Sequence, residues 1–220
     1  EVGERTWGAL YQGRPAPLEG GIFKRAWFYT WRLPALPEGC DPPTVVVDPA
    51  DGGGDEAGLL VVATNRRAGK VYVLDDLSAS MTVAQWTRMA LLTCARRNAP
   101  TLAYERSLSQ LPARIREAQA TLKEQATALI ETEGDPDKAL ARIVGPDAAE
   151  ERRDLVARQL AELTPDDCTA ILAHPSGPSV KALETKGTKQ ERMLWAAPMV
   201  ETGRLVLIGQ HPKLEYQAAT

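Results

Sequence analysis

Histidine and cysteine are scarce in this chain of 220 residues. The only histidines, His174 and His211, leave little for a histidine-rich metal site or a Ser-His-Asp triad. The three cysteines, Cys40, Cys94 and Cys168, are far apart and form no CxxC, which excludes a disulfide framework and a zinc cluster. They read as small buried apolar groups in a reduced, intracellular compartment. No run approaches the 18 apolar residues of a membrane span, and the opening EVGERTWGAL has no basic-then-apolar leader. Nucleotide loops are missing too: there is no GxxxxGK[ST] and no GxGxxG opening a helix. Gly187-Thr188-Lys189 is only superficially a fragment of such a loop, and no glycine stands five residues before Gly187. What remains in quantity is carboxylate.

The charge is unevenly spread. Residues 113–170 hold 8 Lys or Arg against 13 Asp or Glu, a net of −5, which leaves +2 elsewhere in a chain of −3. The mild acidity therefore belongs to one segment and does not exclude a polyanionic ligand on another surface.

Residues 1–43 crowd aromatics (Trp7, Tyr11, Phe23, Trp27, Phe28, Tyr29, Trp31) among proline and glycine turns. They read as an arm packed on another body, since no long periodic run appears before Thr44. Strand signals follow. TVVVD (44–48) is a β-branched apolar run, GLLVVAT (58–64) a second strand, and KVYVLDD (70–76) a third after the turn RRAG. So short a turn makes the last two antiparallel. A helix capped at Ser80 or Thr82 runs to about Asn98, and TLAYE (101–105) is the fourth strand. A strand–helix–strand passage makes a right-handed parallel crossover, which lays the fourth strand beside the first in the order 3-2-1-4. From Leu111 to about Leu163 the pattern is helical, with Leu111, Ile115, Ala118, Leu122, Gln125 and Leu129 on one stripe. Turns at GDPD (134–137) and Gly145-Pro146 divide it, so it reads as an acidic helical hairpin inserted into the sheet domain at about 113–170. SVKALETK (179–186) and GRLVLIG (203–209) are further strands flanking a helix near 190–201. The fold class is α/β, a mixed sheet flanked by helices.

This order has a chemical consequence. Asp48 ends the first strand and Glu105 the fourth, so two acids meet at one sheet edge. For Asp48 alone the structural alternative is a turn cap into Pro49; for Glu105 alone it is an ion pair with Arg106 or Arg114. Together they repel, and a divalent cation would relieve that cost while supplying a Lewis acid. Hard oxygen donors favour Mg²⁺ or Mn²⁺. The loop DGGGD (51–55) adds Asp55 and glycines that allow close backbone approach, yet it is no calcium loop, because Leu59 stands where the closing glutamate belongs. Lys181, Lys186, Lys189 and Arg192 form a modest basic patch, either a solvated face or phosphate contacts.

These residues carry a resemblance. The sheet order with Asp48 and Glu105 resembles the ribonuclease H-like nucleases, and the chain resembles the C-terminal nuclease domain of tailed-bacteriophage terminase large subunits. WGALYQGRPAPLEGGIFKRAWF (7–28) is similar to the segment joining the packaging ATPase to the nuclease. VVVDPADGGGDEAG (45–58) is similar to the motif of the first metal-binding aspartate, and LAYE (102–105) to the strand of the second acid. GRLVLIGQHPKLEYQAAT (203–220) is similar to the approach to the last motif. The resemblance implies a ribonuclease H-like sheet in the order 3-2-1-4-5, with 1–43 a linker from an ATPase domain of the same polypeptide and 44–220 the nuclease. It implies a two-ion Mg²⁺ or Mn²⁺ endonuclease that cuts concatemeric viral double-stranded DNA during packaging in the host cytoplasm. Portal protein and small terminase subunit would be its partners. Asp48 would bridge the ions and Glu105 hold one. The third aspartate is expected beyond Thr220, with Asp55 the substitute; Lys186, Lys189 and Arg192 would contact DNA. Two other functions stay open: a docking module without catalysis, and a junction resolvase on the same fold.

Overall fold

The computed structural model describes residues 22–49, 56–105, 110–145, 147–174 and 176–219. Seven strands form one mixed sheet: β1 (Arg32–Leu33), β2 (Thr44–Asp48), β3 (Gly58–Asn65), β4 (Lys70–Asp76), β5 (Thr101–Glu105), β6 (Ser179–Leu183) and β7 (Leu205–Ile208). Their order is β1-β7-β4-β3-β2-β5-β6, so the expected central order of five strands is found, extended on one side by β7 and β1. β2–β3 and β3–β4 are antiparallel and every other pairing is parallel, which leaves β3 alone running against the rest. The strands' carboxyl ends therefore share one edge.

Valine decides the inside of β2. Val45 and Val47 are buried on one face, while Asp48 ends the strand exposed. α1 (Arg25–Thr30) precedes the sheet, and α2 (Val83–Arg96) crosses over between β4 and β5. Thr82 caps α2 in a box with Gln85: each accepts from the other's backbone N–H, satisfying two donors that a helix start leaves unpaired. Asn98, at φ +49°, closes its far end before Pro100. Trp86, fully buried, anchors α2 on the sheet, and truncating it to alanine should cost about 3–5 kcal/mol.

The acidic segment is divided more finely than the periodicity implied. α3 (Leu111–Glu131) is the outgoing arm, and the return is broken into α4 (Pro136–Ile143), α5 (Glu150–Ala161) and α6 (Pro165–Ala173). α6 packs back against both α2 and α3. Ile115, Leu122, Leu129, Val156 and Leu160 share a single core with Val45, Val47, Leu59 and Leu102 of the sheet. The excursion therefore covers one face of the sheet instead of projecting from it. Buried polar groups tie its helices together: the Arg88 guanidinium donates to Gln125 Oε1 (2.8 Å) and to the Gln159 carbonyl (2.7 Å), and Gln125 donates to Gln159 Oε1 (2.7 Å).

A second, smaller core lies on the opposite face. Phe23 and Phe28 of the arm pack there with Val73, Leu207 and the buried side of α7 (Lys189–Glu201), Ala197 and Val200. From Ile22 onward, then, the arm packs on the sheet domain and pairs β1 with β7; residues 7–21 lie outside the described region. α8 (Pro212–Ala219) follows β7 and returns toward the upper edge, where Lys213 and Gln217 donate to the two oxygens of Glu56 (2.8 and 3.0 Å). Cys94 and Cys168 are buried as expected, but Cys40 is only half-buried. Among the described residues no helix is long and apolar enough to cross a membrane.

Candidate active site at the carboxyl edge of the sheet

The pairing of β2 with β5 builds the site. The two strands run parallel, with Thr44 opposite Thr101 and Val47 opposite Tyr104, so Asp48 and Glu105 are the next residues on adjacent strands. In a parallel pair, lateral neighbours point to the same face. Val47 and Tyr104 are buried in the helical core, so Asp48 and Glu105 turn to the other face, toward α7. The Asp48 carboxyl is close enough to Glu105 to be the least of the groups that act on its ionisation. Two neighbouring carboxylates repel when both are ionised, and a cation between them would relieve that cost.

Glu105 is gripped from the other side as well. Its Oε1 accepts from the Thr185 hydroxyl, just past β6, and from Arg192 Nη1 on the first turn of α7 at 2.9 Å. Thr185 foremost, then Arg192, holds the Glu105 carboxyl below the ordinary glutamate range, against partial burial, which acts the other way. α7 is aimed by its start. Gly187, at φ +80°, turns the chain, and Thr188 forms a capping box with Glu191. Room for Asp48 comes from β3: Gly58 is its register partner, and a Cβ there would lie 3.2 Å from the Asp48 Cβ.

Sequence reasoning brought Asp48 and Glu105 together, and the structure joins them. Arg192, read as a phosphate contact, stands in the site on Glu105. Lys186 is exposed in the segment between β6 and α7, and Lys181 is exposed on β6 beside Ala103, on the same face as the acids. Lys189 begins α7. Asp55 lies outside the described residues. Among those described, no group of three or more His, Cys, Asp or Glu side chains is gathered for a metal ion. The alternative partners considered for Glu105 fare differently: Arg106 is outside the described residues, and Arg114 is on α3, whose apolar stripe joins the helical core on the other face. Thr185 was missed altogether. A lone threonine 80 positions from its partner leaves no pattern in sequence, and only the β5–β6 pairing brings the two together.

No protein-family model matches the chain, and no curated protein matches it. Among solved structures, the nuclease domain of the large terminase subunit gp2 of bacterial virus Sf6 overlaps with a TM-score of 0.36 at 12% identity, over 91% of this chain and 92% of that one. A point mutant of the same domain with manganese and beta-thujaplicinol overlaps with a TM-score of 0.35 at 13% identity, again over 91% and 92%. At such overlap neither neighbour fixes what this chain does; the arrangement of Asp48, Glu105, Thr185 and Arg192 bears on it directly.

Proposed function

We propose that the chain is a Mg²⁺- or Mn²⁺-dependent endonuclease acting on double-stranded DNA, the nuclease part of a viral packaging motor that cuts concatemeric genomes. One observation carries the reading: parallel, in-register strands set two carboxyl residues side by side, on one face, at an open sheet edge. The donor set fits a hard divalent cation, being all oxygen and carrying charge that such an ion would neutralise. Asp48, between β2 and the loop that follows, would be shared by two ions, and Glu105 would hold one of them. When bound, such ions supply an activated water and charge compensation at the leaving oxygen.

The chain's own residues do the rest. Thr185 and Arg192 keep Glu105 ionised and oriented. Gly58 keeps the space above Asp48 clear. Lys181, on the same side of the sheet, and the exposed Lys186 would offer phosphate contacts that position a duplex without reading its bases. The third acid would come from Asp55 or from sequence following α8, which climbs toward Glu56, two residues from the partner of Asp48. In this reading residues 1–43 join the nuclease domain, 44–220, to an ATPase domain of the same polypeptide, and portal protein and small terminase subunit are its partners.

The test is nicking of supercoiled plasmid in Mn²⁺. Wild type should relax and then linearise the plasmid, while Asp48→Ala and Glu105→Ala, shown folded by circular dichroism, should not. Equal cleavage by all three would exclude the site.

A further inference from the structure

Arg192 is badly placed for a residue whose only task is to grip DNA. Its guanidinium is committed to Glu105, 2.9 Å from the oxygen that Thr185 also uses. A guanidinium cannot lose its charge in the working range of pH, so this cation leaves Glu105 only by moving. Movement is open to it. It holds Glu105 through a single nitrogen, and its side chain is one-third exposed. The backbone beneath it is fixed by the Thr188–Glu191 box, so a change there needs only side-chain rotation.

We propose that Arg192 is the resident counter-cation of the Asp48–Glu105 site: it neutralises Glu105 in the free protein, opposes a divalent ion there, and is drawn off by a phosphodiester. The proposal rests on the metal-dependent reading above. Its physical content is a competition. A positive charge within hydrogen-bond distance of Glu105 repels a dication approaching the same carboxylate. A backbone phosphate offers Arg192 a better, two-toothed acceptor and frees Glu105 at the same moment. Divalent-ion binding and DNA binding are then positively coupled through one side chain, and the coupling is reciprocal. In the absence of DNA the site stays weak for metal.

The experiment titrates Mn²⁺ into the 220-residue protein without DNA, following the spin-resonance signal of the free ion. Arg192→Gln should bind Mn²⁺ about tenfold tighter than wild type or more. Arg192→Lys, which keeps the charge, should stay near wild type, which separates electrostatics from packing. Binding of a short labelled duplex, checked intact on a gel, should be strengthened by Mn²⁺ more in wild type than in Arg192→Gln. Equal or weaker Mn²⁺ binding by Arg192→Gln overturns the proposal, as does equal strengthening of duplex binding. Asp48→Asn tells the two failures apart. If it abolishes Mn²⁺ binding while Arg192→Gln changes nothing, the metal site survives and the counter-cation role falls. If Mn²⁺ binding ignores both substitutions, both readings fall.

Discussion

Two of the molecule's arginine–carboxylate pairs set like chemistry in opposite surroundings. On the helical face, Arg96 of α2 grips Asp167 of α6 with two parallel bonds, Nε to Oδ1 at 2.8 Å and Nη2 to Oδ2 at 2.9 Å. Asp167 also accepts from the backbone of Thr164 (3.0 Å), closing the capping box of α6. Both its oxygens are spent, its side chain is 5% exposed, and Arg96 foremost holds its carboxyl down to about 2. At the carboxyl edge, Arg192 touches Glu105 through one nitrogen, and Glu105 stands beside a second acid, Asp48, on the neighbouring strand. A carboxylate in a two-toothed grip, buried, is a structural bolt. One held singly beside another acid can be recruited by a ligand.

The comparison breaks most sharply on activity. Asp48→Ala should lower Mn²⁺-dependent plasmid nicking at least about a hundredfold, with the midpoint of thermal unfolding unchanged or slightly raised. Asp167→Asn should leave nicking per folded molecule unchanged. A collapsed Asp48→Ala protein, or an inactive but folded Asp167→Asn protein, would reverse the roles assigned to the two ends.

The next effect is on stability, at the other pair. Removing the Asp167 charge should cost about 1–2 kcal/mol at neutral pH, after discounting for the half-exposed Arg96. The sign with pH follows from a depressed folded value. The contribution is complete above the unfolded value of 3.8 and is lost as pH falls through about 2. Denaturant unfolding of wild type and Asp167→Asn should therefore differ at pH 5 and converge toward pH 2. A gap that is constant over that window would mean that packing, and not charge, holds α6.

What the sequence made legible tracks how local the cause is. TVVVD and TLAYE are β-branched or apolar runs, and the turn RRAG forces its neighbours antiparallel, so the order of the four central strands followed from chain geometry, while the fifth came with the resemblance. That order alone placed Asp48 beside Glu105. Gln125 could be set on the α3 stripe, and it is fully buried, but its partner Arg88 could not be foreseen, because the periodicity of one helix carries no information about a polar group on another. The same holds for Thr185 and Arg192. β1 escaped because two residues pairing with β7 leave no periodicity to detect. The side of the sheet that the acidic helices pack on was not legible, because composition reports charge and not which face a segment covers.

A smaller effect should appear at Gly58. Alanine there would bring a methyl group to 3.2 Å from the Asp48 Cβ, so one of the two must shift by a few tenths of an ångström. Backbone strain is not involved, since the only change is crowding. Nicking should fall about three- to tenfold while stability changes by less than about 1 kcal/mol. Full activity in Gly58→Ala would mean that Asp48 need not be held so closely, and that the cleared space serves no purpose.

The smallest effect expected is on DNA binding from the acidic helices, although they carry most of the chain's excess negative charge. Their buried side chains complete the core under Val45, Val47 and Leu102, so cutting out 117–170 would unfold the domain instead of reporting on electrostatics. Neutralising exposed charges is the cleaner test: Glu150→Gln, Glu151→Gln and Asp154→Asn together on α5. α5 belongs to the face that buries Val47 and Tyr104, whereas Asp48 and Glu105 point to the other. A sheet and a layer of helix exceed the screening length of roughly 8 Å at physiological salt. Duplex affinity should therefore change less than about twofold at that salt, in contrast to a marked loss when Lys181 and Lys186 are replaced by glutamine. A severalfold tightening in the triple variant would show that DNA passes over the helical face, and the site at the carboxyl edge would then need a different path for its substrate.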